Sequence, residues 1–238
     1  LEPGTYMVRE AVPPGWRPIS PDDGYLIEVD YGDSVMHCDF GNVPDMPQVE
    51  GVYVRGSDWS DDVLDALDLR GLGHPDAETN TVLARLGYRI PSGAEQLVPL
   101  AWSEIDVISI AFNEDVLIDA HAIALVGVNV ADYPGAFSYD SATRVATWTL
   151  SSPVGVDQLW LTVDDSVRDH DGNSLDGEWA NGVSTQSGNN VPGGGFSFHF
   201  NVLPGDATGD GKVGPTDASL TAANYGPLDV TAFAGDFD

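Results

Sequence analysis

The chain has 238 residues, long enough for two or three compact units, and its 42% hydrophobic content is sufficient for buried cores. Nine basic residues against 38 acidic ones leave a formal net charge of -29, which repels nucleic-acid phosphates and anionic membrane surfaces. These values exclude nucleic acid as a partner class and give no reason to expect membrane insertion. They favour hard cations such as calcium, which take oxygen ligands.

The first residues indicate that the chain is a fragment of a larger protein. The chain opens on Leu1-Glu2-Pro3-Gly4 without an initiator Met or an apolar leader, and no apolar run is long enough to span a bilayer. The single thiol, Cys38, can form no internal disulfide, so we expect it to be an inert core side chain. We expect a monomeric protein in the extracellular space or at the cell surface.

Proline distinguishes the first part of the chain from the rest. Several prolines interrupt short β-like runs there, and residues 43–47 have the composition of a linker. The sequence therefore predicts a separate β domain over residues 1–47, a larger β domain over 48–203, and a small C-terminal unit over 204–238.

Short runs rich in Val, Ile, Phe, Trp and Tyr predict strands throughout the larger domain, because Gly and Pro separate them as turns do. The clearest strand covers residues 196–202, where three Phe and a Val alternate with polar residues and define a core-facing side. Other strands with a period of two are predicted around Ile108, Trp148 and Leu161, and a first strand at 49–54. Together they indicate a β-sandwich.

One stretch of this domain departs from the β pattern. Ser60 suits an N-cap, two Asp residues follow it in the first turn, and apolar residues recur at helical spacing. Residues 60–67 are therefore predicted to form a short helix.

The acidic stretch 206–217 carries the clearest chemical motif. Oxygen-bearing side chains stand at its positions 1, 3, 5 and 12, Gly211 allows a sharp turn at position 6, and Lys212 offers a carbonyl at position 7. This is the ligand spacing of an EF-hand-type loop, and calcium needs six to eight such oxygens. Val213, apolar at position 8, is expected to anchor the loop onto a hydrophobic surface. The alternative is a solvated acidic turn that binds no ion.

The segments that flank this loop differ from those of an ordinary EF-hand. A strand ending at residues 202–204 precedes the loop, and Pro215 can begin a helix that Gly226-Pro227 would end. The arrangement over residues 204–238 resembles the repeat of a type I dockerin. Dockerins are extracellular modules in which two loop-helix repeats bind two calcium ions and dock onto cohesin domains. A second repeat is expected to begin at residue 236.

This resemblance implies a set of calcium ligands and a face that meets a partner. Calcium would be held by oxygen atoms of Asp206, Thr208, Asp210, Lys212 and Asp217, the lysine acting through its carbonyl. The face that meets a cohesin would carry Thr216, Ser219, Ala222 and Ala223. Position 3 is Thr208, where Asp or Asn is usual, and position 9 is Gly214, so the affinity for calcium should be reduced with the ligand charge.

Residues 1–16, together with Asp39-Phe40-Gly41-Asn42, resemble the B-type, prealbumin-like repeats of bacterial surface adhesins. Some members form an isopeptide bond between Lys and Asn beside a buried Glu. Strand parity directs Glu10 and Asn42 towards the core, but Lys212 is the only Lys in the chain. We therefore expect Glu10 and Asn42 to hydrogen-bond backbone groups rather than to react.

Residues 103–203 resemble the bacterial Ig-like domains of S-layer and large secreted proteins, which serve as spacers and stalks. The oxygen side chains of Asp169, Asp171, Asn173 and Asp176 would suit an ion. However, Asp-Gly-Asn is also ordinary turn chemistry, and we favour the turn.

No catalytic motif is visible in the sequence, since its five His residues form no His-Glu-x-x-His pair and it has neither a nucleophile elbow nor a phosphate-cradling loop.

The predicted fold is mainly β, with prealbumin-like and Ig-like β-sandwiches in tandem and a short C-terminal calcium loop-helix. The predicted function is non-catalytic: the module binds calcium and tethers or displays a larger secreted protein through cohesin. Two alternatives stay open, an accessory region of a secreted polysaccharide-degrading glycoside hydrolase and a plain stalk of a cell-surface protein.

Overall fold

The structure is a computed structural model that describes residues 2–13, 15–21, 23–77 and 83–224, and it confirms a mainly β fold. The strands are β1 Gly4–Val8, β2 Trp16–Ser20, β3 Tyr25–Val29, β4 Gly41–Pro44, β5 Val49–Arg55, β6 Tyr88–Arg89, β7 Ile105–Phe112, β8 Ile123–Gly127, β9 Gly135–Asp140, β10 Val145–Val154, β11 Asp157–Val163 and β12 Phe196–Val202. The α-helices are α1 Asp61–Leu69 and α2 Pro215–Asn224, with short 3-10 turns at Gly93–Leu97 and Ala120–Ala122.

Strands β5 to β12 form two antiparallel sheets that share one hydrophobic core, and we call residues 49–203 the two-sheet unit. One sheet has the order β6-β5-β7-β10-β9 and the other β12-β11-β8. Buried side chains of both sheets belong to the same cluster, with Ile110 from β7, Leu161 from β11 and Phe200 from β12 each at most 2% exposed. The core therefore lies between strands that are far apart in sequence.

Strand β12 shows why the alternation of its sequence predicts its orientation. Phe196, Phe198 and Phe200 are 1%, 3% and 0% exposed, whereas the polar residues that alternate with them lie on the opposite face and are exposed or half-buried. Strand β7 differs, because it is buried on both faces and Ala111 joins a second, smaller cluster with Tyr53 on the opposite side. Period-two reasoning assigns β7 a single core face, so it understates how central this strand is.

Helix α1 confirms the predicted exception to the β pattern. Ser60 is its N-cap, and its side-chain oxygen accepts a hydrogen bond from the backbone N–H of Val63 at 3.4 Å. Leu64 and Leu67 are buried in the shared core, which fixes the helix against the two-sheet unit. None of the helices in the described ranges has the length and apolar character needed to cross a bilayer.

The first four strands form two separate two-stranded pairs, β1 with β3 and β2 with β4. Residues 43–47 do not behave as the expected linker, because Met46 is 4% exposed and Pro47 accepts a hydrogen bond from the backbone N–H of Asp176 at 2.9 Å. Cys38 also differs from the expectation, since it is half-buried rather than a core side chain.

Asp176 holds the two-sheet unit together at the start of β5. Its carboxylate is fully buried and accepts hydrogen bonds from Gln48 Nε2 at 2.7 Å and from the backbone N–H groups of Asn189 and Asn190 at 2.7 and 3.1 Å. Removing this acceptor leaves three partly buried donors unpaired.

We predict that Asp176→Ala lowers the free energy of unfolding by about 2–3 kcal/mol, because three partly buried donors lose one buried, charged acceptor. Urea unfolding measures the change, with the exposed Asp165→Ala as the control that alters charge alone. If Asp176→Ala and the control lower the free energy of unfolding equally, the structural role assigned to Asp176 is contradicted.

Candidate metal centre

The acidic loop follows directly from a core strand. β12 ends at Val202, and the connection to the loop is fixed by backbone hydrogen bonds from Leu203 N to Leu100 O at 2.9 Å and from Gly205 N to Ala101 O at 3.0 Å. Gly205 has a φ of +89°, a conformation that side chains other than Gly rarely adopt. No local pattern could predict the contact with residues 100–101, because it joins positions about a hundred residues apart in the chain.

Asp206 organises the first half of the loop. It is 1% exposed, and its carboxylate accepts hydrogen bonds from the backbone N–H of Asp210 at 3.1 Å and of Gly211 at 2.8 Å. Gly211 has a φ of +81°, so its lack of a side chain permits this tight turn. The loop therefore wraps around its own first carboxylate.

Asp217 closes the loop from the other end. It is 4% exposed and accepts hydrogen bonds from the backbone N–H of Thr208 at 3.0 Å and of Gly214 at 2.8 Å. These two amide donors hold the pKa of the Asp217 carboxyl below its usual value, because they stabilise its ionised form. Asp217 is therefore an anion at neutral pH.

The hydroxyl of Thr208 lies between the two buried carboxylates. Its Oγ1 is 2.9 Å from Asp217 Oδ1 and 3.4 Å from Asp206 Oδ1. None of the ion pairs recorded among the described residues involves either carboxylate. Two buried carboxylates that share a hydroxyl and lack a basic partner are a donor set that suits a hard divalent cation.

The remaining predicted ligands lie on the open side of the loop. Asp210 is exposed, and its Oδ1 accepts a hydrogen bond from the backbone N–H of Lys212 at 2.9 Å. In the described part of the chain no three His, Cys, Asp or Glu side chains gather as metal ligands would. An ion in this loop would therefore need the Thr208 hydroxyl and the Lys212 carbonyl in addition to carboxylates.

Helix α2 begins at Pro215, as predicted, and presents the proposed partner face to solvent. Thr216, Ser219, Ala222 and Ala223 are all exposed, and Ser219 Oγ donates to Pro215 O at 2.7 Å. The expectation for Val213 was wrong, because it is 58% exposed and does not anchor the loop onto the described residues. The predicted helix end at Gly226-Pro227 and the second repeat from residue 236 lie outside the described residues.

The other acidic stretch, 169–176, forms a turn, which is the interpretation that the sequence favoured. Asn173 donates to the Asp169 carboxylate from its backbone N–H at 2.7 Å and from Nδ2 at 2.7 Å. Asp176 is occupied elsewhere, with Gln48 and Asn189. These residues therefore do not converge on a common point.

Sequence reasoning missed Glu114, whose environment is set by distant residues. Its Oε1 is buried without a hydrogen-bond partner. Burial raises the pKa of Glu114 to about 7, and the nearby carboxylates of Asp45, Asp169 and Asp171 act in the same direction. The folded protein thus binds a proton at Glu114 more tightly than the unfolded chain does.

The raised pKa of Glu114 gives a pH-dependent contribution to stability. This contribution is fully present below about pH 4.5, the unfolded value, and is lost as the pH rises through about 7. We predict that Glu114→Gln unfolds with a free energy about 1–2 kcal/mol higher than the wild type at pH 8, after allowance for solvent screening of a half-buried group. The two proteins should converge at pH 4.5, and urea unfolding across this range checks the difference, with the exposed Glu28→Gln as control.

Glu10 and Asn42 contact each other rather than the backbone groups that we expected. Asn42 Nδ2 donates to Glu10 Oε1 at 2.6 Å, while Glu10 Oε2 and Asn42 Oδ1 are buried without partners. The expected pairing with backbone was wrong because Glu10, which follows β1, and Asn42, on β4, lie within hydrogen-bond distance of each other.

In comparisons with known proteins, no protein-family model, curated protein or solved structure matches the chain.

Proposed function

We propose that the chain is a non-catalytic, extracellular calcium-binding module whose loop at residues 206–217 holds one ion. Asp206, Thr208, Asp210, Asp217 and the carbonyl of Lys212 supply the protein oxygens. The observation that carries this proposal is the burial of Asp206 and Asp217 beside one shared hydroxyl, at 1% and 4% exposure. Two buried like charges are costly to fold together unless a cation offsets them.

The net charge of the chain also supports calcium as the ligand. A formal charge of -29 raises the local concentration of divalent cations around the loop. Oxygen ligands of carboxylate, hydroxyl and carbonyl type suit calcium better than softer metals, which prefer nitrogen and sulfur. The exposed side of the loop, at Asp210 and Lys212, leaves a route for the ion to enter.

We further propose that helix α2 tethers the larger protein to a cohesin-type domain. The exposed face with Thr216, Ser219, Ala222 and Ala223 offers small side chains that let another surface approach closely. Because α2 starts inside the loop, at Pro215, calcium binding would fix the direction of this face.

Calorimetric titration of calcium into the chelator-treated chain tests the metal site. We predict that Asp210→Ala weakens binding about tenfold or more, since a charged ligand is lost without disturbing the buried carboxylates. The control is Asp165→Ala, an exposed acid that lies away from the loop. If the two variants bind calcium equally, Asp210 is not a ligand.

A binding assay with immobilised cohesin domains tests the tether separately. Capture should require calcium and should be lost when Ala222 and Ala223 on the exposed helix face are both replaced by Arg. Capture that persists in chelator, or in the double variant, would contradict the proposed role of α2.

A further inference from the structure

The loop is attached to the two-sheet unit by more than its chain connection. Residues 98–102 run alongside it, and Gly205 and Leu203 donate backbone hydrogen bonds to Ala101 and Leu100. An isolated parallel bridge also joins Leu100 to Val202, the last residue of β12. The base of the loop is therefore part of the same hydrogen-bonded structure as the core strand.

The start of the loop also lies beside this segment. The backbone at Gly209 approaches so closely that a Cβ there would lie 2.9 Å from Val98 Cγ1. Residues 206–209 form one wall of a groove, and Tyr88 and Trp102 line the groove from the two-sheet unit. Gly209, in the half of the loop organised by Asp206, thus lies against the body.

Segment 98–102 is itself a structural part of the core. Leu100 is 4% exposed and Trp102 is 9% exposed, and both belong to the shared hydrophobic cluster. The Trp102 ring lies 5.1 Å from the ring of Trp59 and 5.5 Å from that of Tyr88. A change in the order of the loop therefore bears on residues that support the core.

We propose that calcium bound in loop 206–217 stabilises the two-sheet unit, so that the ion couples the rigidity of this unit to the position of helix α2. The proposal rests on calcium binding by the loop. Ligand that binds only the native form stabilises everything that unfolds together with its site. Because the hydrogen bonds to Leu100 and Ala101 link the loop to the core, the two should unfold as one cooperative element.

Tryptophan fluorescence reads out mainly the two-sheet unit, because Trp16 on β2 is the one Trp outside it. Five of the six Trp residues lie within residues 49–203, and none lies beyond residue 203. At a calcium concentration about a hundred times the dissociation constant, we expect the midpoint of thermal unfolding followed by Trp to rise by about 5 °C or more in the wild type.

A variant that weakens the contacts between the loop and residues 98–102, called the uncoupled variant, tests whether calcium stabilises the two-sheet unit through them. It carries Gly-Ser-Gly inserted between Leu203 and Pro204 together with Val98→Ser, and it keeps every proposed calcium ligand. The control carries the same insertion between Ser141 and Ala142, in the exposed β9–β10 turn, together with Val183→Ser at a residue that is 74% exposed. We expect the uncoupled variant to bind calcium by calorimetry with less than half the wild-type midpoint shift, and the control to keep the full shift.

The possible outcomes separate this inference from the metal site on which it rests. Calcium binding without a shift in the wild-type Trp midpoint overturns the coupling and leaves the metal site intact. A full shift in the uncoupled variant overturns the role of these contacts. Absence of calorimetric binding in the wild type overturns both the coupling and the proposed function.

Discussion

Asp206→Ala is expected to lower the affinity for calcium by at least about a hundredfold, roughly 2.7 kcal/mol, the largest effect of any single loop substitution. Asp206 would lose its role as a ligand, and the backbone N–H groups of Asp210 and Gly211 would lose their acceptor. The turn at residues 210–211 would then lose the hydrogen bonds that organise it, and the ion would have to order it at an additional cost in conformational entropy. Calorimetric titration of the chelator-treated variant measures the loss.

The control for this substitution again removes one exposed carboxylate, in Asp165→Ala, so that net charge changes equally. Because salt screens the general electrostatic field of the protein, the control should bind calcium with nearly the wild-type affinity at moderate salt. If Asp206→Ala still binds calcium within threefold of the wild type, a buried carboxylate at the first loop position is not part of the site.

Phe200→Ala is expected to lower the free energy of unfolding by about 3–5 kcal/mol. Phe200 is 0% exposed, pairs with Leu159 across β11 and β12, and lies in the core shared by both sheets. Its removal leaves a cavity that rigid strands on both sides cannot fill. Urea unfolding followed by Trp fluorescence measures the change.

Ser197→Ala is the matched control on the same strand, because Ser197 faces solvent. It should change the free energy of unfolding by no more than about 0.5 kcal/mol. A cost below about 1 kcal/mol for Phe200→Ala would show that β12 does not contribute to a common core.

Local sequence patterns predicted the elements whose environment is set by near neighbours. The alternation of Phe and polar residues in β12 and the Ser60 cap of α1 both act within a few residues, so each is readable from the chain. The pairing of β5 with β7 could not be predicted, because the two strands are about fifty residues apart in the chain and β7 is buried on both faces. Residues 43–47 look like a linker, but Met46 and Pro47 are buried and the other three are half-buried, since their packing depends on Asn173 and Asp176 far along the chain.

The same distinction applies to the candidate site. Spacing within twelve residues predicted which oxygens belong to the loop, and the hydrogen bonds of Asp206 and Asp217 are consistent with that spacing. The spacing could not predict that Val213 is exposed, nor that Gly209 lies against Val98, because both depend on what surrounds the loop. Glu114 was missed for the same reason, as its pKa reflects burial and three carboxylates from other segments.

A crystal structure of the chain grown with calcium tests the central claim most directly. We predict one ion in the loop, with oxygens of Asp206, Thr208, Asp210, Lys212 and Asp217 about 2.3–2.6 Å away. A loop that binds no ion at millimolar calcium, or an ion held only elsewhere on the acidic surface, would contradict the account.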